Sequence, residues 1–232
     1  MMLQGFTEEH QQRLKNAHAF IGGVGGLGGT AALYLAVAGI GKLTLVHAGV
    51  LELPDLNRQI LMKHDCIGAS RVEQAKQSIL AINPDVIIET HDERLTDQNS
   101  ARFLINKDIA LSARPNYAER RALNQACVKQ GVLMVEAAMN GMEGYLFNVV
   151  PRKTFCLHCL FPQDDPDWKE LGFPVLGVVP GMLGCMMALE AIKLLTGYGK
   201  PLASQLLIFN AFDMHFRTVK AHRDEACAVC GS

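Results

Sequence analysis

The sequence predicts an α/β fold, a mostly parallel sheet with helices on both faces. Short apolar runs alternate with helical patterns through the first 140 residues, the mark of strands joined by crossover helices. A glycine-rich turn joins the first run to the first helix, and after Gly141 the alternation gives way to strands around two cysteine pairs. With 232 residues and 49% hydrophobic content, the chain reads as one domain.

Ala17 to Gly22 (AHAFIG) reads as a buried strand, GGVGGLGG (22–29) as a turn, and Thr30 to Gly39 as a helix closed by glycine. Lys42 to Val46 is a second strand, which completes a right-handed βαβ unit of about thirty residues. Ser70 to Ile82 reads as a helix, Asp85 to Thr90 as a strand and Asp97 to Ile105 as a helix. Asp108 to Ser112 is a strand, Tyr117 to Gln130 a helix and Val132 to Ala137 a strand. Gly144 to Val150 leads into a cysteine-bearing loop, and the polar, Pro-rich residues 162–174 form a crossover loop. Met182 to Thr196 is a helix ended by Gly197, and Gln205–Phe209 with His215–Val219 form a terminal hairpin.

Lys+Arg 22 against Asp+Glu 23 leaves a net charge of -1, which excludes a nucleic-acid binder relying on a basic surface and a polybasic membrane anchor. The N-terminus reaches charged residues without an apolar h-region. The longest mostly apolar run, Val175 to Leu189, reads as too short and too rich in Gly and Pro to span a bilayer. A cytoplasmic protein is expected.

Gly23, Gly25 and Gly28 spell G-x-G-x-x-G between a strand and a helix, with Gly26 as an extra. Such a turn lets the backbone approach a phosphate at a helix N-terminus, so residues 1–140 read as a Rossmann-like nucleotide-binding part. A dinucleotide site wants an acid at the end of the second strand, but the strand ends Val46-His47-Ala48-Gly49. An NAD or NADP dehydrogenase loses support.

Cys156-Leu-His-Cys159 and Cys227-Ala-Val-Cys230 are two knuckles that together complete a tetrahedral four-sulfur site, expected to hold structural zinc. The 141–232 part must therefore fold its C-terminus back as a zinc-stapled β extension beside the crossover loop. His158, inside the first knuckle, is expected to be a bystander. Cys127 and Cys185 read as core residues, and Cys66 as an unactivated loop thiol.

In this order the pieces resemble the MoeB/ThiF/HesA family, bacterial relatives of ubiquitin-activating enzymes. The carriers are GGVGGLGG followed by ALYLAVAGIGKLTLV, then LNRQIL (56–61), GASRVEQAKQSILAINPDV (68–86), the paired CxxC motifs and GMLGCMMALEAIKLLTG (181–197). The resemblance implies an ATP- and magnesium-dependent adenylyltransferase that activates the C-terminal glycine of a ubiquitin-like or sulfur-carrier protein. It also implies a homodimer and a structural zinc. Carried over residue by residue, it places nucleotide contacts at Gly23, Gly25, Gly26, Gly28, His47, Arg58, Gln59, Arg71 and Asn116, with Arg58 and Arg71 in the catalytic role.

Departures accompany the match. The family's ribose-binding Asp falls at His47, its loop Asn at Asp55 and its phosphate-contacting Lys at Arg71. Its D-x-x-D-N segment, whose second Asp supports magnesium, falls at Ser112-Ala113-Arg114-Pro115-Asn116, where only Asn116 is kept and Arg114 offers a replacement charge. The N-terminal arginine-bearing segment reads as missing or shortened, and the crossover loop holds no cysteine. Asp92 and Glu93 read as surface charges, and at least one of Arg120 and Arg121 is expected to face solvent. The alternative is a catalytically degenerate member that serves as a binding or scaffold protein for a carrier, a partner subunit or a nucleotide.

Overall fold

The computed structural model describes residues 3–163 and 175–231. One sheet of eight strands comprises β1 (His18–Gly22), β2 (Lys42–Val46), β3 (Ile87–His91), β4 (Ile109–Ser112), β5 (Leu133–Asn140), β6 (Glu143–Val149), β7 (Gln205–Asn210) and β8 (His215–Lys220). Their order is β3-β2-β1-β4-β5-β6-β7-β8. The first five strands run parallel and the last three are added antiparallel, so the C-terminal extension joins the same sheet.

The helices are α1 (Glu8–Asn16), α2 (Gly26–Val37), α3 (Arg71–Leu80), α4 (Ser100–Phe103), α5 (Tyr117–Gln130), α6 (Leu157–Leu160) and α7 (Val178–Thr196). Side-chain alternation assigns the two faces. Ala19, Ile21, Leu43, Leu45, Ile109 and Leu111 pack with Leu35 of α2, Ile79 of α3 and Leu183 and Met187 of α7. Phe20, Val46, Ala110 and Met134 point the other way, onto Leu123 of α5, Phe147 and Phe155. Burial of each large apolar side chain stabilises the fold by about 1.5–3 kcal/mol.

After β1 the chain fills one side of the sheet with β2 and β3, then crosses to the other with β4 and β5. The carboxyl ends of β1 and β4 therefore diverge into a crevice, where open α/β sheets bind ligands.

Four expectations change. The first sheet helix starts at Gly26 rather than Thr30, because its glycine-rich first turn packs closely: a Cβ on Gly26 would lie 3.0 Å from Pro180. The helix read over 97–105 shrinks to α4, since Thr96 and Asn99 bond to each other at its start and Asn106 turns to positive φ. The structure adds a helix before the first strand that the sequence reading did not include, α1, whose Arg13 Nη1 donates to the Thr196 carbonyl. Polar except for the buried Leu14, α1 gives little periodic signal.

Last, the apolar run continues to Thr196 as α7, 19 residues and by composition long enough to cross a membrane. In this fold α7 is a core helix. Gly184 lets it approach α2 so closely that a Cβ would lie 2.5 Å from the Leu27 carbonyl oxygen. Its buried Glu190 accepts from Asn148 Nδ2 and the Leu202 N–H. The predicted crossover loop lies, from residue 164 to 174, outside the described residues.

Candidate functional site

A cavity of about 260 Å³ opens at the crevice between β1 and β4. Gly25, Gly26, His47, Asp55, Arg58, Gln59, Arg71, Arg94, Arg114 and Pro115 line it. The structure thus gathers most of the predicted contacts at one place. It also adds Arg94, whose position after β3 carried no motif.

Gly23 and Gly28 make the turn rather than the wall. Gly23 adopts φ +104°, its N–H donates to the Val46 carbonyl, and a Cβ on Gly28 would fall 1.8 Å from the Gly23 oxygen. Gly25 caps α2, so the first-turn N–H groups, which lack partners within the helix, face the cavity with the positive end of its dipole.

His47, at the end of β2, accepts the Val24 N–H on Nδ1 at 3.0 Å. This bond requires Nδ1 unprotonated and leaves Nε2–H as the donor. Burial, with Arg114, Arg71 and Arg94 nearby, holds the ring well below the usual histidine range, so it is neutral.

Asp55 is buried beneath two arginines. Its Oδ1 accepts from Arg58 Nη2 at 3.2 Å, and its Oδ2 from Arg71 Nη2 at 2.6 Å and Nε at 3.2 Å. A short 3-10 turn, Leu53–Asn57, with the Glu52 N–H donating to Asp55 Oδ2, fixes the carboxylate. The two catalytic candidates are therefore held together by one acid, poised but engaged.

Arg114 follows β4 on the cavity's other wall. Its Nε and Nη2 grip Glu119 at 2.6 and 2.8 Å, while Nη1 is buried without a hydrogen-bond partner among the described residues. Burial pushes the Glu119 carboxyl up, but the pairing with Arg114 and the Asn116 amide outweighs it and brings it below its ordinary value. Asn116 is not brought to the cavity wall. It caps α5, accepting the Glu119 N–H and donating to Glu119 Oε1.

Behind this wall Arg120 is buried against Glu136 and Tyr145, and Arg121 is half-buried, donating to the Gln163 carbonyl. Arg120 is withdrawn from solvent, whereas Arg121 stays partly exposed. Asp92 also has a structural task, accepting the Gly49 N–H and the Ser70 hydroxyl.

Asp55 is the carboxylate lining the cavity among the described residues, and both its oxygens serve arginines. Position 115 presents a proline ring there. Among the described residues, the cavity lining does not fit a carboxylate-held magnesium ion.

The second site lies under α5 and α6. Cys156, Cys159, Cys227 and Cys230 bring their sulfurs within 4.8 Å of one another, with contacts of 3.9, 3.8 and 3.3 Å. Tetrahedral thiolates about 2.3 Å from one ion stand ~3.8 Å apart, so the cluster can hold a metal with no open position. His158 is not in the set. Cys127 is fully buried, and its thiol pKa is pushed up by burial; Cys185 is only partly buried. The Cys66 thiol is raised, against activation.

The ThiF family model matches residues 1–229. Protein HesA of Leptolyngbya boryana is 53% identical over 232 residues, covering 100% of this chain and 83% of its own length. A sulfur carrier protein adenylyltransferase of Thermus thermophilus is 35% identical over 242 residues, covering 100% of this chain and 88% of the relative. Among solved structures, E. coli MccB with MccA-N7isoASN superposes with a TM-score of 0.88 at 22% identity, over 97% of this chain and 70% of that one, a likeness of fold. The chain belongs to the ThiF family.

Proposed function

We propose that this ThiF-family chain is an ATP-dependent adenylyltransferase that activates a carboxylate, the C-terminal glycine of a ubiquitin-like or sulfur-carrier protein. The observation that carries the reading is the convergence of Arg58, Arg71 and the α2 N-terminus on one crevice. The full-length match to a relative named as a sulfur carrier protein adenylyltransferase supports it.

In the reaction a carboxylate oxygen attacks the α-phosphorus of ATP. The bond to the β-phosphate oxygen breaks, and pyrophosphate leaves with its electron pair. Bringing two anions together needs cations and N–H donors at the phosphates. The α2 N–H groups cradle a phosphate, and Arg58 and Arg71 exchange Asp55 for phosphate oxygens. His47 offers Nε2–H to one ribose hydroxyl.

The thiolate cluster holds zinc as a structural staple, and the molecule acts as a cytoplasmic homodimer. The test is ATP–pyrophosphate exchange with purified candidate carriers. Exchange that requires a carrier's intact C-terminal glycine supports the reading, and an ATP-blind preparation defeats it.

A second reading, a binding protein without turnover, is favoured by Pro115 and by the neutral His47 in a ribose-binding position. It predicts ATP or carrier binding with no exchange.

A further inference from the structure

We propose that Arg114 stands in for a carboxylate-held divalent cation, so that the cavity binds a polyphosphate through guanidinium groups with no metal required. The inference rests on the nucleotide reading above and names how that site neutralises its ligand. Arg114 immediately precedes Pro115, and its Cδ lies 3.0 Å from where a Cβ on Gly23 would sit, which places it against the glycine turn. The residue is 8% exposed. Glu119 holds Nε and Nη2 in a two-pronged grip, fixing the plane of the guanidinium.

The remaining nitrogen, Nη1, is buried without an acceptor among the described residues. A buried donor left unmatched costs about 1–3 kcal/mol, a cost that a phosphate oxygen in the cavity would remove. Arg94 lines the same cavity, and no hydrogen bond or ion pair engages its guanidinium among the described residues. Together with Arg58 and Arg71 these make, among the described residues, four guanidinium groups around one carboxylate, Asp55. Arg114, Arg71 and Arg94 all disfavour protonation of His47, consistent with a positive field across the cavity. Arginine delivers fixed positive charge and directed donors without a metal's need for acidic ligands.

The test is calorimetric titration of the full chain with ATP and with inorganic pyrophosphate. Magnesium is removed by passing buffers over chelating resin, so that no free chelator strips the cysteine cluster. Affinity in magnesium-free buffer is expected within about threefold of that in millimolar magnesium, a difference of at most ~0.7 kcal/mol. The double variant Arg114→Gln/Glu119→Gln, which removes the cation without stranding the acid, is expected to weaken both ligands about tenfold, ~1.4 kcal/mol.

Binding that appears only after magnesium is added overturns the inference and leaves the nucleotide reading intact. Undiminished affinity in a folded double variant also overturns it. Binding under neither condition removes the nucleotide reading and this inference together. If the double variant does not fold, the comparison with and without magnesium decides alone.

Discussion

Asp55→Asn keeps the size of the side chain and removes the charge that Arg58 and Arg71 share. Both arginines then face each other with side chains only 21% and 15% exposed. Stripping one partner from a buried ion pair costs about 3–5 kcal/mol, and partial exposure here brings the expectation to roughly 2–3 kcal/mol. For a chain of this size each kcal/mol moves the melting temperature about 2–4 °C, so the variant should melt ~4–12 °C lower. Pyrophosphate reverses the order of effects. In the native chain it must displace Asp55, whereas in the variant no carboxylate holds the two guanidiniums, whose other bonds go to Asn57 Oδ1 and to the Pro54 and Ala48 carbonyls. Thermal melts across a pyrophosphate titration at fixed ionic strength should therefore show a larger ligand-induced rise for the variant. A ligand-free melting temperature within about 1 °C of the native value, or equal rises in both proteins, would refute the account of Asp55 as a placeholder for phosphate.

Protonation of His47 is suppressed in the folded chain but free in the unfolded chain, whose ordinary value is 6.5. Stability should thus be lost as pH falls from about 6.5 toward the depressed folded value, because only the unfolded state gains the proton. His47→Gln should flatten that slope in chemical denaturation series. Arg94→Gln, at an exposed position, should leave the melting temperature unchanged yet weaken pyrophosphate binding about fivefold, ~1 kcal/mol, in calorimetry. Cys227→Ser breaks the four-sulfur set, so elemental analysis should find the bound metal lost and denaturation a drop of more than ~2 kcal/mol.

Strands and long helices were legible because burial on both faces leaves continuous apolar runs, and Tyr117–Gln130 matches α5 at both ends. The cysteine cluster was legible because two CxxC pairs have the spacing that a tetrahedral four-sulfur site requires. The cavity's wall was legible only where a motif marked it. Arg94 has no such mark, and its role comes from β3 ending beside β2 at the crevice. Asn116 misled for the opposite reason: a helix cap and a ligand contact both favour asparagine, and here the cap at Glu119 claims it. The partners of Arg114 and Arg120 depend on side chains that meet only in the fold, Glu119 in the first turn of α5 and Glu136 on the interior strand β5.

Diffraction from crystals grown with a hydrolysis-resistant ATP analogue bears most directly on the central claim. The expected map shows the triphosphate over Gly25 and Gly26, with Arg58 and Arg71 turned from Asp55 onto its oxygens. A crevice empty at saturating analogue, with both arginines still on Asp55, would contradict the account.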